Sequence, residues 1–161
     1  HLYSQPVEEM KSLRLAETIR RFTSYQGQSY QISMPAPCEL DLNLLFGQAN
    51  NFCLTIDYGN QEALILSYDK AEQVFTIDRT SMVLGGKGKR QFKLPVAEDL
   101  TLQLFLDKGS LEVFFQGGYE AASMLLYPTG ETAPTFSITT DVPWHTLSLG
   151  ICQLNHISFH N

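Results

Sequence analysis

The chain has 161 residues, 43% of them apolar, with a net charge of −6 and an isoelectric point of about 5.1. That length bounds it to one domain, or one domain with an arm, and the apolar content suffices for a core and carries no signature of disorder. The acidic balance argues against a nucleic-acid or anionic-membrane partner, and no apolar run approaches the ~20 residues of a membrane span.

Residues 5–14 read as a short connector helix. Pro6 suits a first turn, and Glu8 and Glu9 sit at its positive end. Val7, Met10 and Leu13 give it only a narrow apolar stripe, as expected of a connector lying against another body. Arg14 to Gly27 reads as less regular, with Arg20 and Arg21 a solvated pair. The expected division is a connector over 1–20 and a β-module over 21–161. The chain opens on His1 rather than methionine, which suggests a piece of a longer polypeptide or a residual tag residue.

From residue 28 strand signals follow almost without pause: 28–34, 38–46, 52–58, 62–68 and 73–78, with turns at 47–51, 59–60 and 69–70. Residues 84–90 form a basic, glycine-rich loop. It lacks the Ser/Thr and following helix of a phosphate-binding P-loop, so it reads as a strand connection.

Residues 100–118 carry the strongest local pattern. Two alternating runs flank Lys108 and Gly109, a hairpin signal in which Gly109 fits a turn position with φ > 0. If those two residues are the loop, Leu106 faces Leu111, Phe105 faces Glu112 and Leu104 faces Val113. Leu102, Leu104, Leu106, Leu111, Val113 and Phe115 then share one face, and a one-residue slip would scatter them. The other face carries Gln103, Phe105, Asp107, Ser110, Glu112 and Phe114. Two phenylalanines on a solvent face have no purpose there, so this face is expected to touch something.

Further strands are expected over 121–127, 135–139, 146–151 and 154–160, punctuated by Pro128, Gly130, Pro134, Asp141 and Pro143. About a dozen short strands without helical crossovers predict an all-β fold: a two-sheet antiparallel β-sandwich of jelly-roll or lectin-like form, with a closed barrel as the alternative.

Candidate chemistry is sparse. Asp107 and Glu112 are diagonal neighbours, roughly 7–8 Å apart, which overlaps the spacing of inverting glycosidase carboxylates; mid-sheet residues lie on open surface, so a structural or docking role is favoured. Asp78, Arg79 and Thr80 read as an ion-paired turn. Trp144 and His145 form a weak candidate for sugar stacking, against the reading of a packed corner. His156 and His160 are too far apart on a strand, ~13 Å, for one metal. No metal or cofactor site is expected. Cys38, Cys53 and Cys152 are odd in number and lack ligand spacing, which points to free thiols in a reducing compartment.

Two stretches resemble a known family. Phe75-Thr76-Ile77-Asp78-Arg79-Thr80 is similar to its leucine-x-leucine-Asp-Arg-Ser stretch. Leu106-Asp107, then Leu111-Glu112-Val113-Phe114 and Gly118, is similar to its Asp-x-Ser-x-x-Glu-Val-Phe…Gly pattern. In this order they resemble the C-terminal β-sandwich of glycoside hydrolase family 32, which contains invertases, sucrose-6-phosphate hydrolases, levanases and inulinases. Gln5 to Glu9 with Leu13 and Arg14 resembles the segment joining propeller to sandwich. One departure is Gly109, where the family has serine, with Ser110 one place later.

The resemblance implies that catalysis by these retaining enzymes belongs to an N-terminal five-bladed propeller. None of the motifs around its carboxylates (Trp-x-Asn-Asp-Pro, Arg-Asp-Pro, Glu-Cys) occurs here. The implied role is the non-catalytic module of a β-fructofuranosidase, inactive alone, with catalytic residues outside it. Its implied partners are the propeller of the same polypeptide, a sucrose-type substrate of the parent and a second copy in a homodimer. Asp78, Arg79, Phe105, Asp107, Glu112 and Phe114 are the motif and interface candidates. Free thiols tilt the reading to the bacterial cytoplasm over secretion. The competing readings are a stand-alone lectin-like carbohydrate-binding module and a dimerisation domain.

Overall fold

The structure, a computed structural model, describes residues 14–22 (backbone course only), 28–82, 88–96, 98–129, 133–144 and 146–154. Twelve strands form two sheets of six. Sheet A runs β1 (Arg14–Phe22), β12 (Thr146–Leu154), β3 (Cys38–Leu45), β8 (Asp99–Leu106), β9 (Ser110–Phe115) and β10 (Glu120–Leu125). Sheet B runs β2 (Ser29–Ser33), β11 (Thr135–Thr140), β4 (Asn51–Gly59), β5 (Glu62–Asp69), β6 (Val74–Asp78) and β7 (Lys89–Lys93). Every pairing is antiparallel. The expected sandwich is present, and two separate sheets replace the alternative of a closed barrel.

Side-chain alternation builds the layers. On β3, Cys38, Leu40, Leu42 and Leu44 point between the sheets, as do Phe52, Leu54, Ile56 and Tyr58 on β4, all 5% exposed or less. An aromatic bridge ties the sheets together: Phe75 of β6 meets Phe115 of β9 edge-on at 4.6 Å between centroids, and Phe92 of β7 meets Phe115 at 5.2 Å. Such pairs add to what area burial alone contributes. The Tyr68 hydroxyl, inside this core, donates to the Leu94 carbonyl at 2.6 Å.

The β8–β9 hairpin has the expected register, with Leu106 opposite Leu111, Phe105 opposite Glu112 and Leu104 opposite Val113. The Asp107 amide donates to the Ser110 carbonyl at 2.9 Å, which leaves Lys108 and Gly109 as the loop. Gly109 itself is a correction. Its φ is not positive; the left-handed glycines lie at 47, 59, 88, 117 and 118. The Asp107 carboxylate accepts the Lys108 amide at 2.8 Å, and this side-chain bond helps turn the chain without a left-handed residue. The β4–β5 turn, by contrast, places Asn60 and Gln61 at φ 54° and 63°, the primed geometry that matches strand twist.

Three further expectations change. Arg14–Phe22 is a strand paired with β12, not an irregular segment, so the division after residue 20 falls inside β1. The connection expected over 84–90 ends sooner, because Lys89 and Arg90 open β7. Both missed strands are sheet edges rich in Lys and Arg, where charge guards against further pairing and hides the alternation. Leu154 continues β12 rather than starting a new strand. Residues 5–13 of the expected connector helix, together with His145, His156 and His160, lie outside the described residues.

A candidate interaction face

Because the leucines of β3, β8 and β9 fill the core, their alternate neighbours must form the outer face of sheet A. The register lines these up in rows. Cys152 faces Glu39, Glu39 faces Phe105 and Phe105 faces Glu112; one row along, Asp41 faces Gln103 and Gln103 faces Phe114.

This outer face carries its own apolar cluster. Phe105, Cys152 and Leu154 are 4%, 3% and 7% exposed, separate from the inter-sheet core, with the half-buried Phe114 packed against them. The two phenylalanine rings meet edge-to-face, 6.2 Å apart at 84°. Within the same row Glu39 is 1% exposed, and Gln103 Nε2 donates to its carboxylate at 3.2 Å. A carboxylate withdrawn from water requires such donors. The expectation of a face built for more than solvent thus meets a second, smaller core in which Phe105 is already covered by its own chain. What stays open to solvent is part of Phe114 and Glu112, and Asp107.

Phe105, Phe114 and Glu112 are brought together; Glu112 is half-buried opposite Phe105, while Asp107 is exposed at the hairpin end. Asp78 and Arg79 are elsewhere, in the turn after β6 on sheet B. Asp78 accepts the Thr80 amide at 2.9 Å and lies 3.9 Å from Lys89 Nζ. Its carboxyl is held below the usual range, first by the Thr80 side chain, then by the Thr80 amide and Lys89, against a penalty from burial. The Arg79 amide donates to the Gly88 carbonyl at 2.8 Å, so this is a hydrogen-bonded, ion-paired turn with Lys89 as the cation. Trp144 is a correction: at 2% exposure inside the main core it offers no surface to a sugar ring. Among the described residues no group of three or more His, Cys, Asp and Glu is placed to hold a metal ion.

Sequence reasoning put Gln103 on this face but missed Glu39, Cys152 and Leu154. Glu39 alternates with leucines and reads as a solvent residue, while Cys152 and Leu154 come from a distant strand. Only the β12–β3–β8 order brings them beside Phe105.

The sandwich has well-matched counterparts. It superposes on an exo-inulinase from Aspergillus awamori with a TM-score of 0.78 at 18% identity, covering 94% of this chain and 32% of that one. It superposes on a sucrose-6-phosphate hydrolase from Lactobacillus gasseri with a TM-score of 0.72 at 24% identity, covering 95% and 31%. In sequence it is 28% identical over 131 residues to the sucrose-6-phosphate hydrolase of Zymomonas mobilis, covering 74% of this chain and 25% of that protein. The chain therefore spans about a quarter to a third of the proteins it matches. The model of the family "Glycosyl hydrolases family 32 C terminal" matches residues 9–149. By that match, on a sandwich whose hairpin carries the Asp107 to Gly118 pattern, the chain belongs to the C-terminal module family of glycosyl hydrolases family 32.

Proposed function

We propose that this chain is the non-catalytic C-terminal sandwich of a β-fructofuranosidase of the sucrose-6-phosphate hydrolase or invertase type. In this reading the outer face of sheet A meets an N-terminal catalytic propeller of the same polypeptide. The observation that carries it is the half-buried Phe114, with Glu112 and Asp107 nearby, at the margin of a second apolar cluster of Phe105, Cys152 and Leu154 that is separate from the inter-sheet core. Asp107 and Glu112 sit on an open sheet face, where water is not excluded as acid–base catalysis on a sugar requires. Their role here is to border the contact, not to break bonds.

The test is turnover. The isolated chain should cleave neither sucrose nor sucrose 6-phosphate, while the longer polypeptide does; measurable cleavage by the chain alone would contradict the assignment. The three free cysteines support work in a reducing bacterial cytoplasm, which cell fractionation checks. A homodimer contact is supported by Leu125 and Tyr127, 61% and 48% exposed beside the edge strand β10; light scattering tests it.

A further inference from the structure

The opposite side of the molecule, the outer face of sheet B, holds a groove of about 660 Å³. Its floor is one row of residues read straight across five strands. Thr139 of β11 faces Cys53 of β4, Cys53 faces Ser67 of β5, Ser67 faces Thr76 of β6, and Thr76 faces Gln91 of β7. At the usual inter-strand spacing the row is ~19 Å long. None of the five is Asp, Glu, Lys, Arg or His, and four offer a hydroxyl or amide that both donates and accepts. Part of the row is already set: Gln91 Nε2 donates to Thr76 Oγ1 at 3.1 Å.

The rim is acidic and fixed. Asp69 Oδ1 accepts the amides of Ala71 and Glu72 at 3.1 and 3.3 Å, and Asp141 Oδ1 accepts those of Asn50 and Asn51 at 2.9 and 3.1 Å. Glu72 lines the same groove.

These features select a ligand chemistry. An apolar ligand would strip water from the hydroxyl row and leave its donors and acceptors unpaired, at full desolvation cost. An anionic one would meet three carboxylates. A ligand that presents hydroxyl after hydroxyl satisfies both parts, exchanging hydrogen bonds with the floor and donating to the rim. We propose that this groove binds a neutral oligosaccharide laid across the strands, with its hydroxyls paired to Ser67, Thr76, Gln91 and the Asp69 carboxylate. The site lies on the sheet opposite the docking face, goes beyond the supporting role and does not rest on it.

The test is titration of the isotopically labelled chain with nystose, maltotetraose and cellotetraose, following backbone amide shifts by NMR. At least one should move the amides of Cys53, Ser67, Thr76 and Gln91, and Thr76→Lys should raise its dissociation constant by roughly tenfold or more. A second readout uses the unaltered chain. Cys38 is buried, with its thiol pushed up to about 12 by burial and by Cys152, and Cys152 is buried too, so the half-buried Cys53 is the thiol open to alkylation. The bound oligosaccharide should slow that alkylation. The proposal is overturned if all three sugars leave the row unmoved and Cys53 unprotected. It is overturned equally if sucrose 6-phosphate or an unrelated peptide shifts the row while the neutral sugars do not.

Discussion

Glu62 and Thr129, 67 positions apart, are clasped together: the fully buried Glu62 carboxylate accepts both the amide of Thr129, at 2.7 Å, and its hydroxyl. The contact pins the start of β5 in sheet B to the segment that leaves sheet A after β10. Glu62→Ala removes the acceptor and leaves a void. It should cost about 2–3 kcal/mol, a fall of roughly 5–10 °C in the thermal midpoint. Glu62→Gln keeps one acceptor oxygen and should cost about 1 kcal/mol or less. Equal losses in the two melts would show that the acceptor is not what matters.

Neighbouring phenylalanines on β9 should behave oppositely. Phe115→Ala cuts the bridge to Phe75 and Phe92 and should cost about 3–5 kcal/mol in urea unfolding of the isolated chain. Phe114→Asp, half-buried on the outer face, should cost the isolated chain about 1 kcal/mol or less. In the longer polypeptide the same Phe114→Asp should lower stability clearly more. A loss no larger there than in the isolated chain would remove the docking role.

The acid limb of stability follows from two carboxyls. Asp78 is held low for the reasons given above. At Asp141 burial pushes the carboxyl up, but the amides of Asn51, Asn50, Asp141 and Val142 together outweigh it and leave the net shift downward. A folded pKa below the unfolded one adds stability above the unfolded value and loses it as pH falls through the folded one. Thermal midpoints should therefore hold, as far as these groups act, above about pH 4 and fall below it. The double variant Asp78→Asn with Asp141→Asn should show a shallower acid slope, and an unchanged slope would refute the assignment. Both groups are solvent-screened, so each should be worth under about 1 kcal/mol at neutral pH.

Two glycines of the hairpin region separate local geometry from space. Gly117 sits at φ 67° with nothing within 4 Å of an added Cβ, so Gly117→Ala should cost roughly 1–2 kcal/mol from backbone strain alone. Gly109 lacks that conformation, and its added Cβ would meet only the Leu126 carbonyl at 3.9 Å. Gly109→Ala should stay within about 0.5 kcal/mol of the starting chain. Calorimetry on the two variants decides whether the ordering holds.

The sandwich and the register of β8–β9 were legible because strict alternation leaves one pairing that keeps Leu102, Leu104, Leu106, Leu111, Val113 and Phe115 together. The edge strands β1 and β7 were not, since Arg20, Arg21, Lys89, Arg90 and Lys93 break the apolar rhythm exactly where an edge needs charge. Half of the outer cluster was readable from Phe105 and Phe114. The other half, Cys152 and Leu154, depends on which strands become neighbours, and local pattern carries no information on that. Trp144 bears out the packed-corner reading and removes its weaker rival, sugar stacking; both were open because an aromatic after a proline looks the same at a buried corner as on a surface.

The pairing of Arg14 with Leu154 puts the first and last described strands side by side at one margin of sheet A. The first and the last described residue therefore lie together at one corner of the sandwich, about 5 Å apart as partners across a strand pair.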